Sequence, residues 1–109
     1  MMLLTWQQFD TAVEIIANQY KDRKPFDAVF GIPRGGLCLA VALSHRLEIP
    51  LAQEVTGPNV LIVDDVYETG AAVKPYLNLP DCEVAVWFVK GSLPTASIFA
   101  ACCSPSAPL

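Results

Sequence analysis

The chain has 109 residues, one domain's worth, and 53% of them are hydrophobic, so a single buried core is feasible. Only 17% are charged and the formal net charge is −4 at pH 7, which argues against the basic face of a nucleic-acid binder. No stretch is apolar for long enough to span a bilayer, and Met1–Leu4 lacks the charged flank and apolar run of a secretory leader. Cys38, Cys82, Cys102 and Cys103 show no metal-ligand spacing and read as reduced thiols. The expectation is one domain over 1–109, in the cytoplasm, binding neither nucleic acid nor membrane.

In chain order, Thr5 and Gln8 form a capping box, and Phe9, Val13, Ile16, Ala17 and Tyr20 follow at helical spacing. Lys21, Arg23 and Lys24 stand where they complement the dipole at that helix's end. After Pro25, the apolar run from Ala28 to Ile32 reads as a short strand ahead of Pro33-Arg34-Gly35-Gly36, and Leu37–Leu47 as a second helix ending near Glu48-Ile49-Pro50. His45, the only histidine, reads as structural or surface. Leu51–Gln53 suits a short strand, Glu54–Asn59 a turn through Gly57-Pro58, and Val60–Val63 a strand. A helix is expected from about Gly70, weakened by Pro75 unless that residue stands in its first turn or ends it. Val84–Val89 is a further strand, Thr95–Cys103 an ambiguous Ala-rich candidate for the last one, and 104–109 a frayed tail. This α-β-α-β-β-α-β order predicts an α/β domain, an open, mostly parallel sheet with helices on both faces.

Two segments carry chemistry. Val60–Val63 is buried on both faces and runs into Asp64-Asp65, Glu68 and Thr69-Gly70. The carboxyl end of such a strand opens into the ligand crevice of an α/β sheet. Paired carboxylates there can hold hydroxyls or a hydrated Mg²⁺, and a Thr-Gly step can turn backbone N–H groups toward an anion. The bland alternative is a set of acids that cap the next helix. The second segment, Gly31–Gly36, ends in Pro33-Arg34-Gly35-Gly36. Its glycines allow close backbone approach, and Arg34 offers a planar fork for phosphate oxygens. Leu37 and Cys38 stand where an ATP-binding P-loop needs Lys and Ser/Thr, and no dinucleotide G-x-G-x-x-G spacing occurs. Here the bland alternative is an ordinary strand-turn-helix corner with an exposed Arg.

Together the two loops, each after a buried strand and in this order, resemble the type I phosphoribosyltransferases. The resemblance covers Ala28–Gly91 and implies a substrate, phosphoribosyl pyrophosphate (PRPP), with Mg²⁺ as cofactor. It places Arg34, Gly35 and Gly36 on the pyrophosphate, and Asp64 and Asp65 on the ribose hydroxyls and the metal. Glu68, Thr69, Gly70, Ala71 and Ala72 form the loop for the 5′-phosphate, although Ala72 stands where the family has a hydroxyl residue. Among such enzymes the pattern is similar to the bacterial xanthine-guanine (6-oxopurine) phosphoribosyltransferases. That likeness implies Glu68 as general base, Lys90 as donor to the 6-oxo group, and a catalytic role for Asp65 beside Glu68. The partners implied are PRPP, pyrophosphate and a nucleobase, with a homodimer covering the site.

Departures from the pattern leave alternatives open. Glu54–Asn59 is too short for the family's lid, and no acid follows Glu83 to complete a hood. A PRPP-binding regulatory or degenerate module without turnover is the first alternative. A receiver-like Mg²⁺ domain using Asp64-Asp65 is the second, and would need a nucleophilic Asp at another strand end; Asp27 precedes its strand instead.

Overall fold

Val29, Leu61, Val63 and Ala85 point to one side of a sheet, and Phe30, Val60, Ile62, Val84 and Val86 to the other; both sets are buried. Strands apolar on both faces need cover on both, which suits parallel pairing. The structure, a computed structural model, describes residues 5–20, 26–67, 70–89 and 98–103. Its strands are β1 (Ala28–Gly31), β2 (Leu51–Ala52), β3 (Val60–Tyr67), β4 (Glu83–Val89) and β5 (Ile98–Cys103). They form one parallel sheet in the order β2-β1-β3-β4-β5. The chain steps outward from β1 to β2 and returns on the other side of β1 as β3. That reversal makes the carboxyl ends of β1 and β3 a topological switch point, where a crevice opens.

One face carries both α-helices. Helix α1 (Trp6–Gln19) begins at the expected capping box: the Gln8 N–H donates to Thr5 Oγ1 at 3.1 Å, and the Thr5 N–H to Gln8 Oε1 at 2.7 Å. It buries Ala12, Val13, Ile16 and Ala17. Helix α2 (Leu37–Leu47) buries Leu39, Ala40 and Leu43, and Glu48 ends it in the left-handed region at φ 57°. Arg46 holds Glu14 through two hydrogen bonds of 2.8 and 3.0 Å, tying α2 to α1. The pair is exposed on both sides, so its contribution is small. His45 and Cys38 are exposed on α2, the latter as a free surface thiol.

The other face differs from expectation. In place of an α-helix from Gly70, the described residues form a single 3₁₀ turn at Lys74–Tyr76. Pro75 has no N–H to donate, and its ring would clash with the carbonyl a turn earlier in a longer helix. Val73 is nevertheless fully buried, and Tyr76, Leu77 and Leu79 pack with it against Phe30, Ile62 and Val86. Irregular chain therefore covers this face. The Ala-rich run resolves as β5, beside β4 through Val86↔Ala100 and Phe88↔Cys102. The expected tail at 104–109 and the basic residues Lys21, Arg23 and Lys24 lie outside the described residues.

The Glu54–Asn59 connection leaves the carboxyl end of β2, packs Val55 against the sheet, and reaches the amino ends of β1 and β3 at Asn59. Asn59 O accepts from the Asp27 N–H at 2.8 Å just before β1, and the Cys82 thiol points at Gly57 O, 3.8 Å away. It is no lid.

Gly31 sets how closely α2 approaches β1. A Cβ there would stand 2.5 Å from Gly36 O and 2.8 Å from the Ala40 Cβ, both fixed by helix packing. Gly31→Ala is therefore expected to destabilise the fold by about 1–3 kcal/mol. In urea melts the midpoint falls with the slope unchanged; an unchanged midpoint would mean that α2 yields freely.

Candidate active site

β1 ends at Gly31, paired with Val63, whereas β3 continues along β4 through Asp64↔Val86, Val66↔Phe88 and Tyr67↔Val89. The acid pair therefore stands inside β3, in the notch left where β1 stops. The expectation that the acids close the strand is corrected by this pairing with β4, which holds four more residues of β3 extended.

The Arg34 loop turns across that notch. The Ile32 N–H donates to Val63 O at 2.8 Å, and the Gly36 N–H closes back on Ile32 O at 2.9 Å. A Cβ on Gly36 would lie 2.5 Å from Val63 O, and one on Gly35 would collide with the Asp65 carboxylate, 2.5 Å from its Cγ. Only glycine lets this backbone lie against β3. Arg34 is exposed and has no hydrogen-bonding or ionic partner among the described residues, so its guanidinium is free to meet an anion.

Successive strand residues point to opposite faces. Asp65 accordingly lies against Gly35, while Asp64 lines a cavity of about 120 Å³ with Val66, Tyr67, Gly70, Ala71, Ala72 and Val73. Gly70 has φ 83°, and a Cβ there would meet the Tyr67 hydroxyl at 2.6 Å. The structure thus brings Arg34, Gly35, Gly36, Asp64, Asp65, Gly70, Ala71 and Ala72 to one end of the sheet. Glu68, Thr69 and Lys90 lie outside the described residues. Tyr67, buried at the cavity wall, escaped the sequence reading. The alternating Val66-Tyr67 pair after the acids was its signal, since it continues the strand.

Asp64 is only 6% exposed. Burial is the main force raising its pKa from 3.8 to about 6; the Asp65 N–H, donating at 2.8 Å, opposes this, and the Asp65 carboxyl adds to it. Asp65 Oδ1 accepts from the Val66 N–H at 2.8 Å. No cation among the described residues pairs with either acid. Two adjacent hard oxygen donors without a counter-ion suit Mg²⁺, which takes one or two carboxylates and completes its shell with water and substrate phosphates. The fit requires those outside ligands, because no group of three or more His, Cys, Asp or Glu comes together among the described residues.

No family model matches the sequence. Solved structures do. A purine phosphoribosyltransferase from Pyrococcus horikoshii superposes with a TM-score of 0.77 at 28% identity, over 93% of this chain and 85% of that one. This is the type I phosphoribosyltransferase fold. An APRTase from Giardia lamblia in complex with 9-deazaadenine matches at TM-score 0.74 and 18% identity, over 92% of this chain and 81% of that one. The xanthine-guanine-hypoxanthine phosphoribosyltransferase of Helicobacter pylori matches at 0.70 and 16%, over 94% and 86%. The Pyrococcus neighbour supports a transferase, and the other two share its fold. Their named bases differ, so the shared fold does not choose the base.

The raised Asp64 pKa fixes a sign for stability. Between about pH 4 and pH 6 the native state holds a proton that the unfolded chain has released, so stability falls as pH rises through that window. Asp64→Asn removes the ionisation and should be more stable than the parent at pH 7 by on the order of 1–2 kcal/mol. The gain should largely vanish at pH 4. Urea melts of both proteins at the two pH values check this; an equal gap at both would contradict it.

Proposed function

We propose that this chain is a Mg²⁺-dependent phosphoribosyltransferase that moves ribose 5-phosphate from PRPP to a 6-oxopurine and releases pyrophosphate. One observation carries the reading: the Gly35 backbone lies against the Asp65 carboxylate, at the switch point of a phosphoribosyltransferase fold. A loop suited to an anion and an acid pair suited to hydroxyls thereby share one crevice.

In this reading Arg34 and the Gly35 amide hold the pyrophosphate, stabilising the charge it gains on leaving, while Gly36, its N–H turned back on Ile32 O, lets the loop approach closely. Asp64 and Asp65 orient the ribose through its hydroxyls. Thr69, Gly70, Ala71 and Ala72 seat the 5′-phosphate over the cavity beside Asp64. The bond from ribose carbon 1 to the pyrophosphate oxygen breaks, and a bond from carbon 1 to a purine nitrogen forms. Glu68 accepts the proton lost by that nitrogen, an effect worth roughly a hundred- to ten-thousand-fold in rate. Mg²⁺, held by Asp64 and Asp65 with substrate oxygens, supplies Lewis-acid charge stabilisation when bound. Lys90, directly after β4, donates to the purine 6-oxo group.

Water exclusion calls for cover that Glu54–Asn59 does not give. A second copy of the chain, as a homodimer, supplies it in this proposal. The shortness of that loop, used up in crossing the sheet, also favours one other reading, a PRPP-binding regulatory module without turnover.

Pyrophosphate release from PRPP decides between them, assayed with guanine, xanthine, hypoxanthine, adenine, uracil and orotate. Guanine, hypoxanthine or xanthine is expected to react in preference to adenine, whose amino group would set donor against donor at Lys90. Lys90→Ala should erase that preference, and Glu68→Gln should slow every purine without weakening PRPP. Turnover led by orotate or uracil would reject the purine assignment; binding of PRPP without turnover of any base would leave the regulatory module.

A further inference from the structure

The register between β3 and β4 places an aromatic side chain beside the acid pair. Asp64 pairs with Val86 and Val66 with Phe88, so Asp65 and Trp87 are lateral neighbours, one strand spacing of about 4.8 Å apart. Both project from the helix-bearing face, on which Trp87 packs with Ala85 and Val63. There Trp87 meets Phe9 edge-on, centroids 5.2 Å apart, and Phe9 meets Trp6 in the same manner at 5.5 Å. Trp6 stays 76% exposed, an unusual cost for an indole that finishes no core.

Two clefts flank these rings. The larger lies between α1 and β5 and is lined by Gln7, Gln8, Thr11, Ile15, Trp87 and Ala101. The smaller, about 250 Å³, lies between α1 and α2 and is lined by Thr5, Trp6, Phe9, Cys38 and Trp87. Neither acid lines either cleft, but the smaller one shares with the Arg34 loop the first turn of α2, through Cys38, three residues after the Gly35 that lies against Asp65. Its volume falls below the 300 Å³ or more usual for a drug-sized ligand, and suits a single bare ring system. None of its lining residues is charged, and the Thr5 hydroxyl and N–H are already engaged by Gln8.

We infer that this cleft seats the acceptor base, whose ring stacks against Trp6 and Trp87 while its ribose-bonding nitrogen faces the sugar held by Asp64 and Asp65. The inference rests on the transferase reading and deepens it by assigning the base a site. A planar heteroaromatic ring has the π-face that such walls bind. An uncharged cleft favours a neutral base over one bearing a carboxylate. The aromatic wall therefore comes from the first turn of α1, not from a C-terminal hood.

Nucleoside 5′-monophosphates and ribose 5-phosphate differ only in the base, so their affinity ratio isolates its contribution. Both tryptophans of the chain line the cleft. Intrinsic fluorescence should therefore be quenched by GMP and IMP and not by ribose 5-phosphate. Trp6→Ala, at an exposed position, should lower the monophosphate-to-ribose-5-phosphate affinity ratio by about tenfold or more and leave ribose 5-phosphate affinity unchanged. Trp6→Phe should restore most of the ratio. An unchanged ratio in folded Trp6→Ala would overturn the inference while leaving the phosphoribosyl site standing. Loss of a dimer in that variant, with the ratio unchanged, would reassign the cleft to a subunit contact. Failure of both ligands to bind the parent protein would remove the transferase reading, and the base site with it.

Discussion

The close approach of the Arg34 loop to β3 is the constraint on which the rest of the structure depends. Gly31, Gly35 and Gly36 each occupy a place where a Cβ would collide, with Gly36 O, the Asp65 carboxylate and Val63 O respectively. Because these positions carry no side chains, α2 can start immediately above β3 and bury Leu39, Ala40 and Leu43 on the sheet. The same closeness sets the Gly35 backbone, one residue from the Arg34 side chain, against the Asp65 carboxylate. Packing and site thus have one cause.

The acid pair pays for its position. A carboxylate 6% exposed, with no cation among its described neighbours, is held near pKa 6 mainly by desolvation. Such a group is a poor contributor to stability and a good receiver for a hydrated cation or sugar hydroxyls. Continued pairing of β3 with β4 keeps both acids on a rigid strand, which limits the rearrangement needed when a ligand arrives.

Much of this was legible in the sequence, for physical reasons. The capping box at Thr5, the bounds of α2 and the two strands before the loops follow from short-range rules that tertiary packing did not overturn. The two loops could be placed at strand ends because each follows a short apolar run bounded by Gly, Pro or acidic residues, which reads as a buried strand. The segment after Gly70 could not, because its burial of Val73, Tyr76 and Leu79 has no helical period and depends on the sheet beneath it. Nor could the aromatic cleft: Trp6 and Trp87 are far apart in the chain and meet only through Phe9 and the β3–β4 register. The path of Glu54–Asn59 was hidden for the same reason, since its length was readable and its crossing to the amino ends of β1 and β3 was not.

The central claim is that Asp64 and Asp65 form, with the Arg34 loop, a single site for PRPP. Calorimetric titration of PRPP in the presence of Mg²⁺, on the parent protein and on folded Asp64→Asn with Asp65→Asn, tests it most directly. The account predicts Mg²⁺-dependent binding by the parent and its loss in the double variant. Equal PRPP affinity in the two proteins would contradict it.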